Sequence, residues 1–108
     1  MLKKINRLSS PRLLSPKSIQ SHYFSFKVAK NDLGLPRFAF VVSKKLDKRA
    51  TTRNSVKRKL SSCIEEIFDR IKPGWDFVFY PKPGIVDASH KELSLEIESV
   101  FKKEGILI

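Results

Sequence analysis

Lys44, Lys45, Lys48, Arg49, Arg53, Lys57, Arg58 and Lys59 fall within 16 residues of chain that contain one acid, Asp47. Cations packed this closely repel one another, and a polyphosphate backbone relieves the repulsion while shedding its own condensed counterions. Asn54 stands among them with an amide able to bond sugar or base edges, and each Arg can fork onto a phosphate. Most charge runs are no more than solvated helix faces. Here the distribution argues for a polyanion instead. Residues 1–60 hold 16 of the 22 Lys and Arg and two acids, Asp32 and Asp47, whereas residues 61–108 hold six bases and nine acids.

Side chains that could carry catalysis are sparse. His22 and His90 each lack a Cys, His or carboxylate at i+3 or i+4, so a protein metal site is not expected from local spacing. Glu65, Glu66 and Asp69 have the spacing of ordinary helix solubilisation. Cys63 falls in an apolar stripe and reads as a small core residue rather than a nucleophile. The chain contains neither a phosphate-binding Gly-rich loop ending in Lys-Ser/Thr nor a G-x-S-x-G elbow. No catalytic residue and no metal ligand is assigned.

The rest of the composition agrees with a small binding protein. The 108 residues make one domain, 1–108, and 41% apolar with 10% aromatic residues suffices for a core. A formal charge of +11 and a pI near 10.1 point to an anionic partner. A single cysteine excludes an internal disulfide and fits a reducing compartment. The longest apolar runs, Phe38–Val42 and Phe77–Tyr80, are far short of the roughly 20 residues of a membrane-spanning helix. The basic N-terminus has no apolar region of a secretory signal. A cytoplasmic location without membrane attachment is expected.

These side chains need elements to hold them. Residues 1–22 are basic and rich in Ser and Pro, allowing at most a short helical turn capped by Ser10 with Pro11 in its first position. From Tyr23 to Ala29, Phe24, Phe26 and Val28 alternate with polar or small residues, predicting a strand with Lys27 facing away from the core. A turn over Asn31–Pro36 leads to a second strand, Arg37–Ser43, expected to form an antiparallel hairpin with the first. Thr51 and Thr52 are candidate caps of a helix reaching about Ile71, whose apolar stripe runs Val56, Leu60, Cys63, Ile64, Ile67, Phe68, Ile71. Asn54 and Arg58 lie opposite that stripe, and Arg53 and Lys57 flank it. Crowding cations into the first turns of a helix opposes its dipole but sharpens an anion site there. Asp76–Tyr80 predicts a strand, and Ser89 with Glu92 is a capping-box signature for a last helix that Gly105 ends.

Val41-Val-Ser-Lys-Lys-Leu, then Lys48-Arg-Ala-Thr-Thr-Arg-Asn-Ser-Val-Lys-Arg58, resemble the signature of the bacterial ribonuclease P protein subunit. Gly74–Gly84 and Ser89–Phe101 are similar to the family's later strand, Pro-Gly segment and last helix, so the resemblance covers Arg37 to Leu107. It implies an α/β (α+β) two-layer sandwich: a small mixed sheet of three or four strands, a long basic helix and a C-terminal helix. The strand-helix-strand crossover is implied to be left-handed, against the usual preference.

The resemblance also implies a division of labour. The protein binds the catalytic RNA and the precursor tRNA 5′ leader, while the RNA and its Mg²⁺ ions cleave the phosphodiester bond. Lys44, Lys45, Lys48, Arg49, Arg53, Asn54, Lys57, Arg58 and Lys59 are then the RNA-binding residues, and Tyr23 and Lys27 the leader-binding pair. No stable protein partner is implied. The chain departs from the family at Ser55 and Ser61, where further Arg residues are common, and in its shorter N-terminal segment of residues 1–22. A structural RNA-binding protein without a nuclease role, for example on the ribosome, is the competing reading.

Overall fold

The computed structural model of the chain describes residues 6–8, 13 and 15–108. The expected turn at Ser10–Pro11 lies outside these residues. Phe24, Phe26 and Val28 are buried and alternate with Ser25, Lys27 and Ala29 along strand β2, Phe24–Lys30. A strand not expected from the sequence, β1 at Lys17–Gln20, pairs antiparallel with it. Only Ile19 of β1 is buried, so this edge strand carries almost no apolar signature of its own.

Strand β3, Arg37–Phe40, does not form a hairpin with β2. The strand order is β1-β2-β4-β3, and β4, Trp75–Pro81, runs antiparallel to β2 and parallel to β3. The reason lies in β4 itself. Its residues Asp76 to Phe79 are buried on both faces, which an edge position could not provide. Strands lie about 4.8 Å apart, so the Asn31–Pro36 turn readily arches across one intervening strand. Asp76 fixes that arch: it accepts from Arg37 Nε and Nη2 at 2.8 and 2.7 Å and from Asn31 Nδ2 at 2.7 Å.

Helix α1 runs from Ala50 to Glu66 with Arg49 as its N-cap, so Thr51 and Thr52 lie inside the first turn rather than capping it. It also ends earlier than Ile71. Ile67 closes the helix, Phe68–Arg70 tightens into a 3-10 turn, and Ile71 pairs with Leu107 of the C-terminal tail. The tail thereby claims the backbone that a longer helix would use, with Lys72 N–H donating to Ile106 and Ile108 N–H to Arg70.

Helix α2, His90–Lys103, begins with the expected capping box between Ser89 and Glu92. It ends in a Schellman motif, in which Ile106 N–H bonds the Phe101 carbonyl and Gly105 N–H the Lys102 carbonyl. Gly105 supplies the positive φ, 72°, that this ending requires. Both helices cover one face of the sheet, giving the expected two-layer α+β sandwich. The core joins Phe24, Phe26, Phe38, Phe77, Phe79 and Phe101 to Leu60 and Ile64 of α1 and Leu93 and Ile97 of α2, all 2% exposed or less. Among the described residues, no helix is long and apolar enough to cross a membrane.

Candidate nucleic-acid interface

The basic segment spans the connection after β3 and the first turns of α1. A turn closed by Leu46 N–H to the Ser43 carbonyl exposes Lys44 and Lys45, while Leu46 packs against the core and anchors them. Asp47 holds the next bend. Its carboxylate accepts the Arg49 backbone N–H at 2.8 Å and both arms of the Arg49 guanidinium at 3.1 and 3.0 Å. Those bonds keep the carboxyl below its ordinary pKa.

Arg53 completes the connection from inside. Its Nη1 donates to the carbonyls of Asp47 and Lys48 at 3.0 and 2.8 Å, tying the loop to the helix that follows. Lys59 is likewise committed to the fold. Its ammonium donates to the carbonyls of Ala88, Ile85 and Val86 at 2.7, 3.0 and 3.4 Å, closing the end of the 3-10 segment Pro83–Asp87. Of the nine residues read as an RNA-binding set, the structure thus turns Arg53 and Lys59 toward carbonyls of the chain, and Arg49 shares its charge with Asp47.

Lys44, Lys45, Lys48, Asn54, Lys57 and Arg58 are exposed. Lys57 and Arg58 each lie one helical turn from Asn54 on the exposed side of α1. No acid occupies the first turn of α1 and no side chain caps it. Its N-terminal amides therefore add their positive end to the surrounding cations. The arrangement can hold phosphates.

The structure parts the second pair, Tyr23 and Lys27. Tyr23 does not lie beside Lys27: its hydroxyl donates to Glu92 Oε2 of α2 at 3.1 Å, on the helix side of the sheet. That hydrogen bond raises the phenol pKa above its ordinary value. Lys27 instead has Tyr80 as its neighbour on the opposite sheet face, its Nζ 5.6 Å from the ring centroid. The register explains the meeting, since Lys27 pairs with Val78 and Ser25 with Tyr80, which makes Lys27 and Tyr80 diagonal neighbours. The β4 alternation of Asp76, Val78 and Tyr80 against Phe77 and Phe79 was the available signal for Tyr80.

The sequence model of a family described as Ribonuclease P matches residues 10–105. A ribonuclease P protein component from Clostridioides difficile is 34% identical over 93 residues, covering 85% of this chain and 81% of that one. One from Synechocystis sp. is 35% identical over 71 residues, covering 66% of this chain, and the chain spans only 57% of that relative's length. Among solved structures, the RNase P protein from Thermotoga maritima superposes with a TM-score of 0.75 at 25% identity, covering 82% of this chain and 84% of that one.

Proposed function

The chain belongs to the ribonuclease P protein family, and from that premise we propose that it is the protein subunit of ribonuclease P. It binds the catalytic RNA and the precursor tRNA and assists removal of the 5′ leader in the cytoplasm. The observation that carries this reading is the run of exposed cations Lys44, Lys45, Lys48, Lys57 and Arg58 through the uncapped start of α1. Phosphates on the folded RNA meet both exposed cations and fixed N–H dipoles there, a combination that positions without reading sequence.

The chemistry belongs to the RNA partner and its Mg²⁺ ions. Magnesium needs hard oxygen ligands in octahedral array, and the one carboxylate on the basic surface, Asp47, is forked by Arg49. That surface fits phosphates rather than a protein-bound Mg²⁺. The leader falls to the opposite sheet face, where Tyr80 offers a ring for an unpaired base and Lys27 a charge for its phosphate.

Cleavage of a precursor tRNA by a bacterial catalytic RNA at low Mg²⁺ tests the proposal. The chain should strongly stimulate cleavage, and Lys57→Ala with Arg58→Ala should lose most of the stimulation while remaining folded. Tight RNA binding without stimulation would overturn the assignment in favour of a structural RNA-binding protein.

A further inference from the structure

Away from the basic surface, three side chains that are remote in sequence meet where α1 and α2 pack. Cys63 and Glu66 are one turn apart on α1, and His90 is the first residue of α2. Cys63 Sγ is 3.8 and 4.0 Å from His90 Nδ1 and Nε2, and Nε2 is 3.0 Å from both Glu66 carboxylate oxygens. Among the described residues, this is the one group of three sulfur, nitrogen and oxygen donors within metal-ligating reach, all lying within 4.8 Å of one another.

One thiol, one imidazole and one carboxylate make a borderline-soft donor set, suited to zinc rather than to magnesium or calcium. Ligand atoms of a tetrahedral zinc ion stand about 3.5 Å apart, given bond lengths of about 2.0 to 2.3 Å. Nε2 already faces Glu66, whereas Sγ lies slightly nearer Nδ1, so closing the site requires the exposed imidazole to turn until Nε2 faces both Sγ and the carboxylate. Surroundings favour it as well. Ser94 Oγ donates to Glu66 Oε1 at 3.1 Å, orienting the carboxylate as an outer partner does in metal sites. His90 and Glu66 are 46% and 49% exposed, which gives an ion a way in and leaves a fourth position to water.

We propose that Cys63, Glu66 and His90 form a zinc-binding site that staples α1 to α2. Burial pushes the Cys63 thiol up to about 11, so without an ion it stays protonated; on binding, the sulfur exchanges its proton for the metal, and the proton leaves to water. The His90–Glu66 bond gives way to two metal–ligand bonds. No electron changes hands. The competing account, a His90–Glu66 hydrogen bond beside a core cysteine, forms no metal–sulfur bond.

Cobalt(II) titration of the untagged, chelator-treated full chain separates the two. Binding through Cys63 produces a thiolate-to-cobalt charge-transfer band that saturates at one ion per chain and is displaced by Zn²⁺ but not by Mg²⁺. Cys63→Ser abolishes the band, and His90→Gln and Glu66→Gln each weaken binding by at least about tenfold. His90 is exposed, so His90→Gln keeps the fold and decides the matter if Cys63→Ser does not fold. Zn²⁺ should raise the unfolding temperature of the wild type and leave that of His90→Gln unchanged. Absence of the band in the wild type, or its persistence at full affinity in His90→Gln, overturns the site.

Discussion

The ammonium of Lys59 lies 2.7 Å from the carbonyl oxygen of Ala88, across the join between α1 and the segment that leads into α2. Arg58, its neighbour in sequence, is exposed and bonds to nothing else described in the chain. One step along a helix therefore separates a cation that builds the fold from one available to a ligand.

That contrast predicts opposite phenotypes. Lys59→Ala should destabilise the chain by about 1–3 kcal/mol, since three carbonyls lose a charged donor, while RNA affinity of the folded protein changes little. Arg58→Ala should leave stability within about 0.5 kcal/mol and lower the slope of log affinity against log salt by about 0.9 if Arg58 neutralises one phosphate of an RNA duplex. Urea unfolding and RNA binding at several KCl concentrations measure both.

Asp76 ties β4 to Arg37 and to the Asn31 turn. Burial pushes its pKa up, but the hydrogen bonds from Arg37 and Asn31 outweigh burial and leave it below the ordinary carboxylate value. A carboxyl lowered on folding contributes stability that is present above its unfolded pKa, about 3.9, and is lost as pH falls through the lower folded value. Asp76→Ala should cost about 2–4 kcal/mol at neutral pH by stranding Arg37. The gap between wild type and variant in urea midpoint should narrow as pH falls below about 4.

Phe101 joins α2 to the sheet, with ring centroids 5.5, 5.6 and 6.1 Å from those of Phe26, Phe77 and Phe79. Phe101→Ala removes the side chain shared by three aromatic neighbours and should cost about 3–5 kcal/mol, enough to unfold much of a marginal small domain at 37 °C. Circular dichroism melts report it directly.

On the sheet face away from the helices, Tyr80→Ala should weaken binding of precursor tRNA by the assembled holoenzyme by about 1–3 kcal/mol, the worth of a stacked base, without weakening binding of mature tRNA. Tyr80→Phe should retain most of the effect. Tyr23→Phe, which removes only the bond to Glu92, should leave both affinities unchanged; an equal loss in Tyr23→Phe would return the leader to the other side of the sheet.

The sequence alone determined much that depends on neighbours within an element. Parity placed Phe24, Phe26 and Val28 on the buried face of β2, the 3-and-4 spacing from Val56 to Ile64 marked the buried side of α1, and Ser89, Glu92 and Gly105 marked the ends of α2. It also placed Asn54 and Arg58 on the side of α1 away from the buried stripe, because hydropathy and period decide which side of an element meets water. Tertiary structure decided the pairings. β4 displaces β3 from β2 because only a central position buries both faces of Asp76–Phe79. Lys59 is withdrawn from the basic surface by carbonyls 26 to 29 residues away, Tyr80 takes the place beside Lys27 that Tyr23 leaves, and His90 closes on Cys63 and Glu66 from another helix. Local spacing sets the direction of a side chain, but what it meets is fixed by how elements distant in sequence pack, and that information is spread over the whole core.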